Sequence, residues 1–224
     1  MKQNNWFDPF HIQSHLSEEE LKIQKNVREF CEKELKPSVV EMNREHKFDV
    51  NLYLKFGSLG VLGQTIKSYG GSGTSNLAYG LVAYEFEKID SSYRSSISVQ
   101  SSLVIHPINE FGSNDQKDKY LPDLIKGKKI GCFGLTESEA GSDPSSMKTT
   151  YKETKDGYIL NGIKNWITNA PIADIFIVWA LEENGDHKSI EGFILEKNFN
   201  GLETSTIENK TSLKISPTGQ IILN

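Results

Sequence analysis

The spacing of the apolar residues changes near residue 130, and this change constrains the fold more than any other feature of the chain. Before it, apolar side chains recur at helical intervals, as at Ile23, Val27 and Phe30. After it, short runs such as "ADIFIVWAL" are rich in β-branched and aromatic residues, which is typical of strands. The sequence therefore predicts an α+β chain, with an all-helical domain over residues 1–130 and a mostly antiparallel β-barrel or sandwich domain over residues 131–224.

Capping residues mark the ends of several helices. Ser17, with Glu20 three residues later, is a capping box in which each side chain bonds the other residue's backbone N–H. Pro37 marks a break after this helix, and Gly60 is a stop signal for the helix predicted over 52–59. Further helices are predicted after a cap at Thr74 or Ser75, over 91–111, and as a capped pair ending at Gly127.

A hairpin is predicted near the start of the second half. The run "YILNGIKNWI" carries Asn161-Gly162 between two stretches of β-forming residues. This dipeptide is a strong hairpin signal because a type I′ turn needs positive φ at both central residues. The runs "EGFILEK" and "GQIILN" indicate two further strands.

Composition and charge argue against several classes of protein. The net charge of −5 is spread along 224 residues, whereas a nucleic-acid binder would show a basic face. No apolar run approaches the ~20 residues that a membrane span needs. The N-terminal stretch has neither an apolar core nor an Arg-rich amphipathic character, so no signal or transit peptide is expected.

The cysteines and histidines predict no metal site. Cys31 and Cys132 are the two cysteines, which provides no disulfide framework and no metal-type pair. Of the five histidines, only His11 and His15 have metal-site spacing, and their polar surroundings favour a solvated pair. The expected location is cytoplasmic, or the mitochondrial matrix for a eukaryotic chain, although no transit peptide is visible.

Two segments, 131–143 and 161–169, carry the residues best suited to chemistry. "CFGLTESEAGSD" places several backbone N–H groups and hydroxyls in a short span, which suits phosphates or the carbonyl edge of a heterocycle. The alternative is an ordinary Gly/Ser-rich loop. Trp166 has the same two interpretations, since a tryptophan on a strand can pack in a core or against a planar cofactor.

Three longer blocks resemble the acyl-CoA dehydrogenase family, and its glutaryl-CoA dehydrogenase branch in particular. They are "YRSSISVQSSLVIHPI", "GCFGLTESEAGSDPSSM" and "LNGIKNWITNAPIADIFIVWA", and the similarity runs from about Trp6 to the last residue. The resemblance implies an N-terminal helical domain, a middle β-domain, FAD as cofactor and an acyl-CoA thioester as substrate. It further implies electron transfer to an electron-transfer flavoprotein and a homotetramer for the complete family member.

The same resemblance implies two FAD-binding segments. Thr136 and backbone groups of the first would bond the pyrimidine side of the flavin, Trp166 would lie against the isoalloxazine ring, and Thr168 would approach N5. The first segment comprises Phe133, Gly134, Leu135, Thr136, Glu137, Ser138, Glu139, Ala140, Gly141 and Ser142, and the second comprises Trp166, Ile167 and Thr168. Ser142 would also lie near the thioester or the pantetheine arm of the substrate.

Arg94 is the residue that points to a particular substrate. A lone arginine on a helix is usually a surface residue, but a guanidinium in a pocket matches the fork of a carboxylate. In "YRS", Arg94 and Ser95 match the pattern with which glutaryl-CoA dehydrogenases reach the distal carboxylate of their substrate. Glu87 matches a family acid near this pocket, although helix spacing alone favours a solvated face.

The implied reaction is oxidation of glutaryl-CoA followed by loss of CO₂ to give crotonyl-CoA. The family's C-terminal helical bundle and its catalytic glutamate are expected to lie beyond Asn224, so no residue of this chain, including Glu137 and Glu139, is assigned as the base. Three interpretations stay open. They are a fragment of a glutaryl-CoA dehydrogenase, an acyl-CoA dehydrogenase of another acyl specificity, and a non-catalytic remnant or binding subunit.

Overall fold

The computed structural model describes residue 8, residues 10–183 and residues 189–224. Trp6 and His187 therefore lie outside the described residues. The α-helices are α1 Glu18–Phe30, α2 Val39–Glu45, α3 Leu52–Leu59, α4 Asn76–Glu87, α5 Ser91–Ser98, α6 His106–Phe111 and α7 Asn114–Ile125. The strands are β1 Gly131–Gly134, β2 Thr150–Thr154, β3 Gly157–Thr168, β4 Ile175–Glu182, β5 Ile190–Glu196, β6 Leu202–Thr206 and β7 Thr218–Leu223.

Local signals fix the ends of the helices where the sequence predicts them. The capping box is confirmed: the Glu20 N–H donates to Ser17 Oγ at 3.2 Å, and the Ser17 N–H donates to Glu20 Oε2 at 2.9 Å. Gly60 ends α3 in the left-handed conformation with φ 78°. Ser75 caps α4 by accepting from the Ala78 N–H. Helix α1 continues as a π-helical segment, Cys31–Leu35, which ends before Pro37.

Two predicted helical boundaries differ in the structure. The stretch 91–111 is helical and largely buried as predicted, but a π-helical segment, Val99–Ile105, lies between α5 and α6. The expected helix pair before Gly127 is a single helix, α7, with Pro122 inside it. Leu121 and Leu124 on either side of this proline are fully buried. Their packing outweighs the backbone hydrogen bond that proline cannot make.

The strands form a curled, mostly antiparallel half-barrel, as predicted. The order is β1-β4-β2-β3-β7-β6, with β5 also paired to β4. Strands β1 and β2 are parallel to β4, and the other pairs are antiparallel. Since β5 follows one edge of β4 from Ile175 to Leu181, β1 and β2 occupy successive stretches of the other edge. The loop between them therefore leaves and rejoins the sheet on the same edge.

The predicted hairpin at Asn161-Gly162 is wrong. Strand β3 runs through both residues, and the turn lies earlier, at Lys155-Asp156, between the paired residues Thr154 and Gly157. Gly162 has another reason to be glycine. Its φ is +146°, and a Cβ there would lie 2.5 Å from Thr149 Oγ1. A close approach between segments, and not a turn, therefore requires this glycine.

One apolar core joins the helical and the β-sheet regions. Ile130, Ile175 and Ile177 belong to the same buried cluster as Val104 and Ile105 of the helical region. A Cβ on Gly131 would lie 2.5 Å from a methyl group of Val104, so β1 lies directly against this helical segment. We propose the division at residues 130/131 as a boundary of sequence pattern. None of the helices in the described residues has both the length and the hydropathy of a membrane span.

Candidate functional site

The site is built around the loop 135–149, which leaves β1 and returns as β2. Within it, Glu137 and Ala140 exchange backbone hydrogen bonds of 3.1 and 3.3 Å and form a tight turn. Asn165 fastens this turn to β3, because its backbone N–H donates to the Thr136 carbonyl at 2.8 Å. Its side-chain amide also donates to Ser138 Oγ at 3.1 Å. The loop is thereby held beside residues 165 and 166 of β3.

A buried ion pair holds the base of the loop. Lys164 Nζ donates to Glu137 Oε1 at 2.8 Å and to the Leu135 carbonyl at 3.1 Å. The Glu137 carboxylate also accepts from the backbone N–H groups of Lys148, at 2.7 Å, and Thr149, at 3.0 Å. Burial raises the pKa of Glu137, but the hydrogen bonds from Lys164 and Thr149 outweigh it and lower the pKa below its ordinary value. The carboxylate is therefore charged and fully engaged within the protein.

Trp166 lies at a bulge that turns its ring outward. The pairing register between β3 and β7 shifts between Lys164 and Ile167, and Trp166 takes a left-handed conformation with φ 61°. Its N–H donates to Asn165 Oδ1 at 3.0 Å, which supports this conformation. The residue is 58% exposed. A strained backbone that presents a large ring to the surface is typical of a binding site.

A groove of about 320 Å³ runs past the indole. It is lined by Trp166 and Thr168 of β3, by residues 210–213 and by Thr218 of β7. Lys210 holds residues 210–213 next to β7: its ammonium donates to the carbonyls of Leu213, at 2.7 Å, and Ser216, at 2.5 Å, and to Thr218 Oγ1 at 2.8 Å. Burial lowers the pKa of Lys210.

The groove and the loop leave several polar groups available to a ligand. Within the described residues, the hydroxyls of Thr136 and Thr168 make no hydrogen bond to protein. In that same part of the chain, the backbone N–H groups of Ser138 and Ser142 also have no protein acceptor. An exposed flat ring beside free hydroxyl and N–H groups suits a planar heterocycle with acceptors along one edge.

A second cluster lies in the helical region, around Arg94. Arg94 Nε donates to Glu87 Oε2 at 2.7 Å, and the Ser91 hydroxyl hydrogen-bonds the other oxygen of this carboxylate. The Ser91 and Arg94 hydrogen bonds lower the pKa of Glu87. The Arg94 side chain is 35% exposed, so it is neither fully buried nor a free surface arginine. Glu87 is exposed, as its helix spacing predicts, yet it contacts the arginine with which the sequence associates it.

The structure brings 133–142 and 166–168 together, while Arg94, Ser95 and Glu87 form a separate group. Across the described ranges, no hydrogen bond or ion pair joins the two groups directly. Gln100 connects their supporting elements. It follows α5 in the same helical run, accepts from the Gly131 N–H at 2.7 Å and donates to the carbonyls of Leu124 and Lys129. The segment that carries Arg94 is thus anchored to the strand that leads into the loop.

Three residues of the site are not found by sequence reasoning: Lys164, Asn165 and Lys210. Lys164 carries one usable signal, since a lysine amid "GIKNWI" is a charged residue inside a β-forming run. Its side chain is 0% exposed, which depends on pairing with Glu137, 27 residues earlier. Asn165 lies in the same run, where no signal marks its role, and Lys210 lies in polar sequence with no comparable signal.

Family models match nearly the whole chain. Residues 17–128 match the model described as acyl-CoA dehydrogenase, N-terminal domain. Residues 132–224 match the model described as acyl-CoA dehydrogenase, middle domain.

Relatives and solved structures agree with these models. A short-chain-specific acyl-CoA dehydrogenase of Clostridium acetobutylicum is 36% identical over 210 residues, which are 93% of this chain and 55% of the relative. A glutaryl-CoA dehydrogenase of Mycobacterium smegmatis in complex with FADH2 is 40% identical with a TM-score of 0.92, over 96% of this chain and 55% of that one. A structure described as the electron transferring flavoprotein of Acidaminococcus fermentans is 38% identical with a TM-score of 0.88, over 93% and 56%. The chain spans about half the length of the curated relatives it matches.

Proposed function

This chain belongs to the acyl-CoA dehydrogenase family, and on that premise we propose that the protein oxidises the Cα–Cβ bond of an acyl-CoA thioester. FAD is the cofactor of the family. We further propose glutaryl-CoA as the substrate, with decarboxylation to crotonyl-CoA. The observation that carries the flavin assignment is the exposed Trp166 next to Asn165, which holds a loop with free donors beside β3.

The residues at the loop and the groove fit FAD. An indole that is 58% exposed at a bulge offers a flat apolar surface. The hydroxyls of Thr136 and Thr168 and the backbone N–H groups of Ser138 and Ser142 supply donors with no acceptor in the described part of the protein. The residues proposed to hold FAD are Phe133, Gly134, Leu135, Thr136, Glu137, Ser138, Glu139, Ala140, Gly141, Ser142, Trp166, Ile167 and Thr168. For Glu137, only the backbone is available, since its carboxylate is engaged by Lys164.

When bound, FAD supplies the two-electron oxidation by accepting hydride from the β-carbon of the substrate. The chain's own contribution is to place fixed N–H and O–H donors where negative charge develops on reduction, which is most effective in a site that excludes water. Glu137 and Glu139 are both paired with lysines, Lys164 and Lys148. Neither carboxylate is therefore proposed as the base that removes the α-proton.

The Arg94 guanidinium supports the glutaryl-CoA proposal. Only its Nε contacts Glu87. Both of its terminal NH₂ groups have no partner among the residues that the structure describes. A guanidinium with two free parallel donors matches a carboxylate in the bidentate geometry that makes such pairs strong. Ser95, the next residue on α5, is proposed to assist.

A different acyl specificity is the second candidate. Arg94 is already paired with Glu87 at 2.7 Å, so a substrate carboxylate would meet a like charge beside its partner. A neutral short acyl chain would avoid that repulsion, and the similarity to the short-chain-specific enzyme of Clostridium acetobutylicum favours the same alternative.

We propose an electron-transfer flavoprotein as the electron acceptor, supported by the similarity to the Acidaminococcus fermentans structure. A homotetramer is proposed for the whole protein. Cys31 and Cys132 are both free and buried, which suits the proposed location in a reducing compartment.

The test compares Arg94→Gln with the wild-type protein on glutaryl-CoA and on butyryl-CoA. Losing one partner of a charge-paired contact costs about 2–5 kcal/mol, so kcat/KM for glutaryl-CoA is expected to fall about thirtyfold or more. For butyryl-CoA, kcat/KM is expected to change by about threefold at most. Arg28→Gln, on a different helix, is the matched control and is expected to leave the ratio of the two substrates unchanged.

Equal losses on the two substrates would assign Arg94 a structural role and favour the second candidate. A wild-type protein that folds but binds no FAD would favour a non-catalytic remnant or binding subunit.

A further inference from the structure

We propose that Lys164 is a positioning residue that tunes the flavin through a single peptide group. Its ammonium polarises the Leu135–Thr136 peptide and so strengthens the Thr136 N–H as a donor to reduced FAD. This inference rests on the proposed flavin site and assigns one more residue to it.

The burial of Lys164 is the first observation behind this proposal. The side chain is 0% exposed, and its Nζ contacts the Leu135 carbonyl, Glu137 Oε1 and, at 3.7 Å, Met147 Sδ. Burial lowers the pKa of Lys164, against the opposing effect of Glu137. A buried ion pair is a poor source of stability compared with apolar residues of similar volume. A charged side chain at this position therefore indicates a role that an uncharged methionine or leucine could not fill.

The geometry of the loop supplies that role. The Leu135 carbonyl and the Thr136 N–H belong to the same peptide group, so a cation hydrogen-bonded to the carbonyl at 3.1 Å makes the N–H more strongly donating. The Thr136 N–H has no acceptor in the described part of the chain. The Thr136 carbonyl, on the next peptide, accepts from Asn165 at 2.8 Å, which fixes the orientation of the loop beside Trp166.

Glu137 confines the influence of the ammonium to this peptide. Its carboxylate lies 2.8 Å from Nζ, so the two charges nearly cancel at longer range. The electrostatic field of Lys164 is therefore weak at the groove. Its charge acts on the flavin site mainly through the hydrogen bond to the Leu135 carbonyl. Polarisation of this one peptide group can therefore be distinguished by experiment from a long-range effect of the Lys164 charge.

The experiment measures the two-electron midpoint potential of the flavin-loaded protein for the wild type and three variants: Lys164→Met, Glu137→Gln and the double variant. In Lys164→Met and in the double variant, the ratio of the affinities for reduced and oxidised FAD is expected to fall about tenfold. For a two-electron couple this lowers the midpoint potential by about 30 mV. Glu137→Gln keeps the ammonium and is expected not to lower the potential. Arg28→Met, which removes a partner of a buried glutamate in the helical region, is the matched control and is expected to leave the potential unchanged.

Three results would overturn the proposal. The first is a double variant with wild-type potential, since the effect of Lys164→Met would then come from the uncompensated charge of Glu137. The second is a lowered potential for Glu137→Gln, which tests the proposal even if Lys164→Met does not fold. The third is a wild-type protein that binds FAD and oxidises acyl-CoA while all variants share its potential. Titration of the apoprotein with FAD, followed by flavin fluorescence, separates these from failure of the proposed function, in which the wild type binds no FAD.

Discussion

The helical and β-sheet regions each bury a glutamate, and they compensate its charge differently. Glu85 in α4 is 2% exposed and accepts from Arg28 at 2.9 Å, from Lys88 at 3.3 Å and from Gln24 at 2.8 Å. The side chains of Arg28 and Lys88 are 44% and 45% exposed, so both cations remain largely hydrated. Three partners share one carboxylate, and none of the cations pays a full desolvation penalty.

Glu137 in the loop 135–149 depends on a single cation. Lys164 is fully buried, and the other partners are backbone N–H groups. The loop also has little apolar anchoring, with Ala140 and Met147 as its buried apolar residues, whereas α1 and α4 pack through a continuous core. A helix can therefore carry a buried charge in addition to its packing, whereas this loop depends on the charge for its conformation.

The largest expected effect is that of Lys164→Met on stability. The substitution leaves the buried Glu137 carboxylate without its cation, which costs about 3–5 kcal/mol. Urea unfolding followed by circular dichroism measures the loss. Lys148→Met is the control, because Lys148 forms an exposed pair with Glu139 that solvent screens and that contributes little to stability. A loss from Lys164→Met as small as that of the control would show that the loop does not depend on the buried charge.

A smaller effect is expected for Arg28→Met. Glu85 retains Gln24 and Lys88 as partners, so the loss is about 1–2 kcal/mol by the same unfolding measurement. If the loss equalled that of Lys164→Met, Glu85 and Glu137 would depend equally on their cations. The exposure of those cations would then have no effect on the free energy of unfolding.

Helix capping gives an effect of about 1 kcal/mol that depends only on local structure. Ser113 accepts from the Gln116 N–H at 3.2 Å, and Gln116 Oε1 accepts from the Ser113 N–H at 2.9 Å. Ser113→Ala removes this cap and is expected to cost about 1 kcal/mol, whereas Ser113→Gly is expected to cost only a few tenths. Equal losses for the two variants in thermal unfolding would argue against capping as the cause.

The smallest expected change is produced by mild acid. Burial raises the pKa of Glu85 and of Glu137, but hydrogen bonds from Arg28 and Lys164 respectively outweigh it, so both pKa values lie below the ordinary 4.5. A lowered folded-state pKa stabilises the fold above the unfolded value, and that stability is lost as the pH falls through the folded pKa. The free energy of unfolding is therefore expected to be flat between pH 7 and pH 5 and to fall below that. Glu137→Gln is expected to weaken this acid dependence, and an unchanged slope would contradict the assignment.

Sequence reasoning succeeded where the cause of structure is local. The caps at Ser17 and Ser75 and the stop at Gly60 hold, because each involves groups within a few residues of one another. The hairpin at Asn161-Gly162 is wrong because the same dipeptide suits an unbroken strand when another segment comes close to Gly162. The helix pair before Gly127 is wrong because packing around Pro122 outweighs a local breaking signal.

The candidate site divides in the same way. The helical and strand regions, the family, and the two segments that meet beside Trp166 can all be identified from the amino-acid sequence alone. The burial of Lys164 on Glu137 and the outward turn of Trp166 at a bulge become visible only in the folded chain. Partners distant in the chain determine whether a charge is buried or a backbone is strained. A pattern of neighbouring residues does not reveal those partners.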